Sequence, residues 1–467
     1  MPYGRLEPCD GKLSSTVLRG LGVSNDPRLP GANGMKILIV TYGSHGDVQP
    51  YVALGKGLQH AGHHVTLGTS ERFRDFVENH GLEYGYMNDG LLAIIDTDQG
   101  RELLENNRSI FDVVKQNIKL KNQVKPLQVV QLRETWEIAK SVNPNFILYH
   151  PKVGAAPHIA EKLGIGCALA TPIPMFVPTS ERPFIVLPHL KIGGWYNRLS
   201  YKIITSLTGI FFGKYIKDFR NEVGLAALKK FDFLKTGDGK DISVLHALSE
   251  AVLPRPGDWP DSAYITGYWF LDRKSGWTPS QDLQTFLEAG PPPVYIGFGS
   301  MAGRNPQRLA KIVIEALKLA ELRGIIATGW GGLTPEVLPD YILKIESAPH
   351  DWLFPRVSAV VHHGGAGTTA AGLRAGKPSV IVPFFGDQPF WGRHVHLLGA
   401  GTEPIPQKKL TGEKLATAIK DTISNPDIQR KAKDIGEKIR KEDGIGNAVA
   451  VIEKIMMTYS RNLVKSG

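Results

Sequence analysis

Two doubly wound α/β domains are what this sequence predicts, on three observations. Apolar runs beginning near residues 37 and 294 each end in a glycine-punctuated turn followed by a helical pattern. The two units stand roughly 250 residues apart, too far to share one sheet's local connections. The chain has 467 residues, which at roughly 150 per domain provides for two or three hydrophobic cores.

Met35 opens the first unit. Ile37-Leu38-Ile39-Val40 is unbroken apolar sequence, as a parallel strand covered on both faces requires. The turn Thr41-Tyr42-Gly43-Ser44-His45-Gly46-Asp47 follows. A helix is predicted over 48–61, with Gly62 placed as its C-cap. Val65-Thr66-Leu67 then completes a βαβ unit. Residues 100–235 read as more helical and less regular, and the Pro-rich stretch Pro254 to Pro260 as the bridge between halves. The second unit has strands over 294–298, 325–327, 359–361 and 379–382, with helices over 306–322 and 388–398. The segment from Leu410 to Tyr459 is helical and amphipathic. The predicted division is a loosely ordered tail (1–34), a first Rossmann-like domain (35–253), a linker (254–272), a second Rossmann-like domain (273–440) and a C-terminal helix (441–467) packing back on the first domain.

Composition excludes several classes. A hydrophobic share of 42% is too high for a disordered or fibrous chain, and Cys9 and Cys167 alone make no disulfide framework, which fits a reducing cytosol. No run reaches the ~18 apolar residues of a membrane span, and residues 1–34 lack the apolar centre of a secretory signal. The expected location is cytoplasmic, with peripheral contact at membranes. A net charge of +10 invites a nucleic-acid partner. Residues 405–441, however, hold 8 Lys and 2 Arg against 5 Asp+Glu, so half the excess lies on late helices without aromatic interleaving, and no nucleic acid is expected.

Ligands of open α/β sheets sit at the carboxyl ends of strands. Gly364-Gly365-Ala366-Gly367-Thr368-Thr369 lies at such a place. Its small residues let backbone N–H groups approach an anion, and the following helix start favours negative charge. It is neither a Walker A loop nor G-x-G-x-x-G; tight strand-to-helix packing alone is the other reading. In Pro383-Phe384-Phe385-Gly386-Asp387-Gln388, the last two side chains offer directional hydrogen bonds suited to sugar hydroxyls. Asp96-Thr97-Asp98 spells D-x-D but stands in a polar turn apart from the glycine loops, and His350, His362 and His363 match no compact zinc spacing, so no metal is expected. Asn107-Arg108-Ser109 is a glycosylation sequon without a secretory context.

Five motifs appear in order: Gly43-Ser44-His45-Gly46-Asp47-Val48-Gln49-Pro50, Tyr295-Ile296-Gly297-Phe298-Gly299-Ser300-Met301, Pro349-His350-Asp351-Trp352-Leu353-Phe354, His362 to Thr369, and Pro383 to Gln388. Gly267-Tyr268-Trp269-Phe270-Leu271-Asp272 and Lys441-Glu442-Asp443-Gly444-Ile445 accompany them. Together they resemble the nucleotide-sugar-dependent glycosyltransferases of the GT-B fold, most closely the catalytic region of fungal and plant sterol 3-beta-glucosyltransferases, over about residues 35 to 455.

The resemblance implies two Rossmann-like domains facing each other across a cleft. It implies inverting transfer of glucose from the co-substrate UDP-glucose, without metal or other cofactor, to a sterol or similar lipophilic alcohol or phenol. His363, Ala366, Gly367 and Thr368 would contact the diphosphate, with His362 as an alternative contact and Ser300 reaching the same phosphates. Asp387 and Gln388 would bind glucose, Ala348 and His350 would frame uracil, and Thr328, Gly329 and Ser44 complete the donor set. Asp47 is the expected base, because an alcohol is a poor nucleophile; N-capping of the helix at Val48 is the structural alternative. His45 replaces a usual Arg and stands as second candidate base or proton relay. Met175, Phe176, Trp195 and Phe211 are the expected acceptor wall, ordinary core being the other reading. Ile203 to Phe212, flanked by Lys202 and Lys214, is expected to touch a bilayer surface reversibly. Two alternatives remain open: a UDP-glucosyltransferase for soluble flavonoid, phenolic or polyketide acceptors, and a non-catalytic nucleotide-sugar-binding partner.

Overall fold

A computed structural model of the chain describes residues 34–97, 110–190, 192–273, 276–299, 306–328 and 338–466. Strand β1 (Lys36–Val40) buries four consecutive side chains from Ile37 on, which is possible only where helices cover both faces of the sheet. It pairs in parallel with β2 (His64–Ser70) on one side and β4 (Phe146–Tyr149) on the other. With β3 (Glu83–Met87), β5 (Gly166–Thr171), β6 (Ser243–His246) and β7 (Ala263–Ile265) they form a seven-stranded sheet in the order β3-β2-β1-β4-β5-β6-β7. A second parallel sheet has the order β10-β9-β8-β11-β12, from β8 (Val294–Gly297), β9 (Gly324–Ala327), β10 (Ile342–Ile345), β11 (Val360–His362) and β12 (Ser379–Ile381).

The principal helices are α1 (His45–His60), α2 (Ile110–Val142), α3 (Ala156–Leu163), α4 (Gly194–Glu222), α5 (Pro306–Ala320), α6 (Ala366–Arg374), α7 (Gln388–Leu397), α8 (Gly412–Ser424), α9 (Pro426–Arg440) and α10 (Gly444–Ser466). In each sheet the chain winds outward one way and then reverses, between β1 and β4 in the first and between β8 and β11 in the second. Adjacent connections leave in opposite directions there, which opens a crevice at the carboxyl ends of the strands. The two crevices open into one cleft, lined by residues from the ends of β1, β4, β5, β8, β11 and β12.

The expectation of two Rossmann-like sheets across a cleft holds. Three local features differ from the sequence reading. Helix α1 starts at His45 rather than Val48, because Ser44 serves as N-cap and Asp47 reaches back to its N–H. Residues 100–235 contain β4, α3 and β5, so this stretch carries sheet interior as well as long helices. The Pro254–Pro260 segment precedes β7, which still pairs with β6, so the prolines shape a turn inside the first sheet and the chain crosses over only after Ile265. The tail, Asp98, Asn107 to Ser109, Ser300 and Gly329 lie outside the described residues.

The chain returns at α10, whose Ala448, Ile452 and Met456 are buried in the core of the first sheet. Where the outgoing and returning segments meet, a Cβ on Gly267 would lie 2.8 Å from the Gly444 Cα. Glu442 accepts a hydrogen bond from the Ser249 hydroxyl (2.6 Å), and the Asn447 amide donates to the Thr266 carbonyl (3.1 Å).

Candidate active site

Asp47 occupies the third position of α1, at the reversal point of the first sheet. One carboxylate oxygen, Oδ2, accepts from the Ser44 backbone N–H (2.7 Å), the Ser44 hydroxyl (3.0 Å) and Lys152 Nζ (2.9 Å). The other, Oδ1, faces His150 Nε2 at 3.4 Å. His150 Nδ1 accepts the Lys152 backbone N–H (3.1 Å), so the imidazole keeps its proton on the side of Asp47. Burial by itself would raise the Asp47 pKa; Lys152 and His150 together outweigh it and hold the carboxyl far below the usual range. Tyr51, further along α1, stands edge-on to His150 (5.8 Å between ring centres), and Trp269 of the crossing segment stands edge-on to Tyr51 (5.9 Å).

His45 is not part of this set. Among the described residues its ring contacts are Phe76 (4.9 Å) and Phe73 (6.3 Å), with no hydrogen bond to Asp47, so a direct relay between the two is absent here. Burial, then the charge of His80, lower its pKa and leave it neutral at physiological pH.

The opposite wall is built at the reversal of the second sheet. His363 turns into the cleft with its buried Nδ1 without a hydrogen-bond partner among the described residues, and burial pushes its pKa down to about 4. Ala366, Gly367 and Thr368 line the cleft at the start of α6. Their N–H groups precede the first helical bond, from Thr369 N to Gly365 O, and are free to meet an anion. Asp387, next to α7, accepts from Trp391 Nε1 (2.9 Å). Gln388 Oε1 accepts from the Phe384 and Phe385 N–H groups, which fixes the turn and leaves the side-chain amide as a donor. His350 stacks on Phe354 (4.2 Å), and Ala348 lies beside it on the cleft wall. Burial above all brings the His350 pKa down to about 4, coupling to the His45 imidazole across the cleft acting in the same direction.

Residues 37–179 match the glycosyltransferase family 28 N-terminal domain, and residues 327–444 match the erythromycin biosynthesis protein CIII-like C-terminal domain. A sterol 3-beta-glucosyltransferase of Arabidopsis thaliana is 36% identical over 95% of this chain and 71% of its own length. An Aspergillus fumigatus sterol 3-beta-glucosyltransferase is 35% identical over 93% of this chain, which spans 30% of that longer protein. The chain belongs to the sterol 3-beta-glucosyltransferase family. Among solved structures, the glycosyltransferase of kitacinnamycin superposes with a TM-score of 0.67 (18% identity, 91% of this chain and all of that one). The calicheamicin glycosyltransferase CalG4 does so with 0.65 (17% identity, 91% and 99%). At those identities what is shared is the GT-B fold.

In this glycosyltransferase, three of the expected contacts lie away from the cleft. Thr328 is buried with its hydroxyl on the Ile345 carbonyl (3.3 Å). His362 is fully buried, its Nδ1 accepting from Gly364 N (3.1 Å), so His363 is the histidine that faces the ligand space. Trp195 is 64% exposed on the outer surface; the sequence reading had grouped it with nearby aromatic residues, without a helix to orient them. Trp352 packs against Trp277 (5.2 Å) and the Arg356 guanidinium (4.3 Å), which makes it a packing residue. Met175, Phe176 and Phe211 do line the cleft. Phe176 adopts φ +74°, a left-handed conformation that costs about 1–2 kcal/mol, with its ring 4.7 Å from Phe233 and 6.1 Å from Phe184. Among the described residues, no group of three or more His, Cys, Asp or Glu is placed to hold a metal ion.

The sequence reading missed His150 and Lys152, and it named Gly43 in the first motif without giving it a role. The first two follow Phe146-Ile147-Leu148-Tyr149, an apolar run whose recognition as a strand would have placed them at a carboxyl end. Gly43 has φ +144°, and a Cβ there would stand 2.2 Å from Asp47 Oδ2. Gly43→Ala therefore displaces the carboxylate by about an ångström. Transfer should fall about 10²-fold, measured as initial rate; a rate within threefold of the parent would contradict this role for the loop.

Proposed function

We propose that this enzyme transfers glucose from UDP-glucose, with inversion, to the hydroxyl of a sterol or similar polycyclic acceptor, with Asp47 as general base. The observation that carries the reading is the position of Asp47. Its carboxylate lies at the reversal point of one sheet, across the cleft from the open start of α6 on the other. The cleft measures about 4060 Å³, several times the ~300–1,000 Å³ of a single small-molecule pocket, which leaves room for donor and acceptor together. A related structure of the same fold, at 19% identity, was solved with thymidine diphosphate, in keeping with a nucleoside diphosphate donor.

In this reading the acceptor O–H gives its proton to Asp47 as its oxygen bonds to C1 of glucose. The C1–O bond to the diphosphate breaks, and its electron pair leaves with UDP. Base and leaving group stand on opposite walls, so attack comes from the face away from the phosphate and inverts C1. The N–H groups of Ala366, Gly367 and Thr368, with His363, would receive the developing charge without a metal. Asp387 and the Gln388 amide would hold the sugar, and Ala348 and His350 would frame the base. The sheet of β1–β7 would carry the acceptor and that of β8–β12 the donor. Met175, Phe176, Phe184, Phe211 and Phe233 form an apolar wall suited to a fused-ring acceptor, matching the sterol named in the relatives.

Helix α4 presents two faces. Phe211 and Phe212 line the cleft, while Leu199, Ile203 and Ile210 (74% exposed) point outward, the last two lying in sequence between Lys202 and Lys214. We propose that this outer face rests on a bilayer surface while a sterol is collected. No described helix is long and apolar enough to cross a membrane.

Three measurements test the proposal. Asp47→Asn should lower transfer by about 10²–10⁴-fold while calorimetry finds UDP affinity within about twofold of the parent; retained turnover would remove Asp47 as base. Burial, with the charge of Asp47 adding to it and Trp391 and Lys152 opposing, places the Asp387 pKa at about 6. The sugar hydroxyls need its ionised form, so UDP-glucose affinity should weaken about tenfold from pH 7 to pH 5. His350 and His363 titrate near 4 and cannot supply that change; the same loss in Asp387→Asn would refute the assignment. The protein should also sediment with anionic, sterol-containing vesicles at low salt, and Ile210→Glu should weaken this; a parent protein without affinity would end the membrane proposal.

A further inference from the structure

Lys152 forms an ion pair with the carboxylate of Asp47. It lies on the loop after β4, with Nζ 2.9 Å from Asp47 Oδ2, in contact with the same oxygen that holds the two Ser44 donors. Its side chain is 54% exposed to the cleft, whereas that of Asp47 is only 13% exposed. The ammonium therefore keeps much of its hydration while the carboxylate has little.

A second carboxylate stands on the other wall. Asp387 is close enough to Asp47 for the Asp47 charge to disfavour its ionisation and for the Lys152 charge to favour it. Two like charges that share one cleft oppose each other, and without a counter-charge the proton affinity of one of them rises. Both are needed as anions in the function proposed above, one to receive the acceptor proton and one to accept from sugar hydroxyls. Lys152 lines the space they share. The other polar groups facing Asp47 are the Ser44 donors and His150; Tyr51 also packs close by. Burial keeps His150 neutral in spite of Asp47, and keeps Tyr51 protonated. Neither can stand in for the cation.

We propose that Lys152 is a positioning residue shared by the two walls, holding Asp47 and Asp387 ionised together so that base and sugar contact operate at the same pH. The proposal rests on the reading of Asp47 as base. It gives the loop after β4 a function in the reaction that the glycine loops do not carry. It also accounts for the pairing of β4 with β1, which brings Lys152 and Asp47 to one reversal point from 105 residues apart.

The test compares pH profiles of kcat and of kcat/KM for UDP-glucose in the full-length parent, Lys152→Met and Lys152→Arg, with Asp47→Asn alongside. Removing the cation raises the proton affinity of both carboxylates, so activity is lost earlier on acidification. In Lys152→Met the acidic limb, which Asp387 sets because its pKa is the higher of the two, should move up by about one pH unit. A defect of a few-fold at pH 8 should thus widen to at least about tenfold at pH 6. Lys152→Arg, which keeps the charge, should restore the limbs, and Lys152→Gln should repeat the Met result if the Met protein does not accumulate. A constant factor at every pH, or no change, would overturn the proposal, because a merely structural lysine scales the rate without moving the limb. Inactive Asp47→Asn beside an unshifted Lys152→Met would sink this inference alone; active Asp47→Asn would sink the base assignment itself.

Discussion

An ionised carboxylate drawn out of water at the end of a parallel sheet has to be met by donors on every side, and Asp47 imposes that demand on the chain. Much of the first wall follows from it. Gly43 is bare because a methyl group would occupy the place of Oδ2. Ser44 gives two donors to that oxygen, and the loop after β4 supplies a cation and a tautomerically fixed imidazole. Behind them Tyr51 and Trp269 brace His150 edge-to-face, so the segment that leaves the first sheet for the second also supports the loop after β4.

The second wall solves a different electrostatic problem with the same topology. In the proposed function it receives a negatively charged ligand, and two of the arginines that line it, Arg273 and Arg374, are already paired with Asp351 and Asp272. Burial keeps His350, His362 and His363 neutral, and in that reading the attraction falls largely to the N–H groups that open α6. Neutral dipoles of this kind cost little to keep in the empty cleft and gain strength when a ligand excludes water. The carboxylate of Asp387 is tolerated there because Trp391 binds one oxygen and because its pKa lies close to neutrality.

How much was legible in the sequence differs between the two walls. The loops after β1 and β11 announced themselves, since an unbroken apolar run that breaks at glycine before a helical pattern marks the carboxyl end of a buried parallel strand. The loop after β4 did not: Tyr149-His150-Pro151-Lys152 contains no glycine, and its partner Asp47 lies far away in sequence. Only the strand order, with β4 beside β1, joins them. Short strands such as β6 and β7 were hidden because four or three residues carry no measurable period. Along α4 the aromatic residues were grouped by nearness in sequence without a helix to orient them, which is why Phe211 was placed on the cleft and Trp195 wrongly placed beside it.

The return of α10 to the first sheet carries a consequence for biosynthesis. Ala448, Ile452 and Met456 fill space among residues made long before them, and Ile445 seats against Gly57 of α1. The interior of the first sheet therefore stays incomplete until α10 has emerged from the ribosome. The second sheet draws its core from residues between 248 and 439, so it does not wait for α10. Completion runs against the direction of synthesis: the half begun first is sealed last, and its unfinished apolar surface is what a nascent chain of this kind would offer to a chaperone.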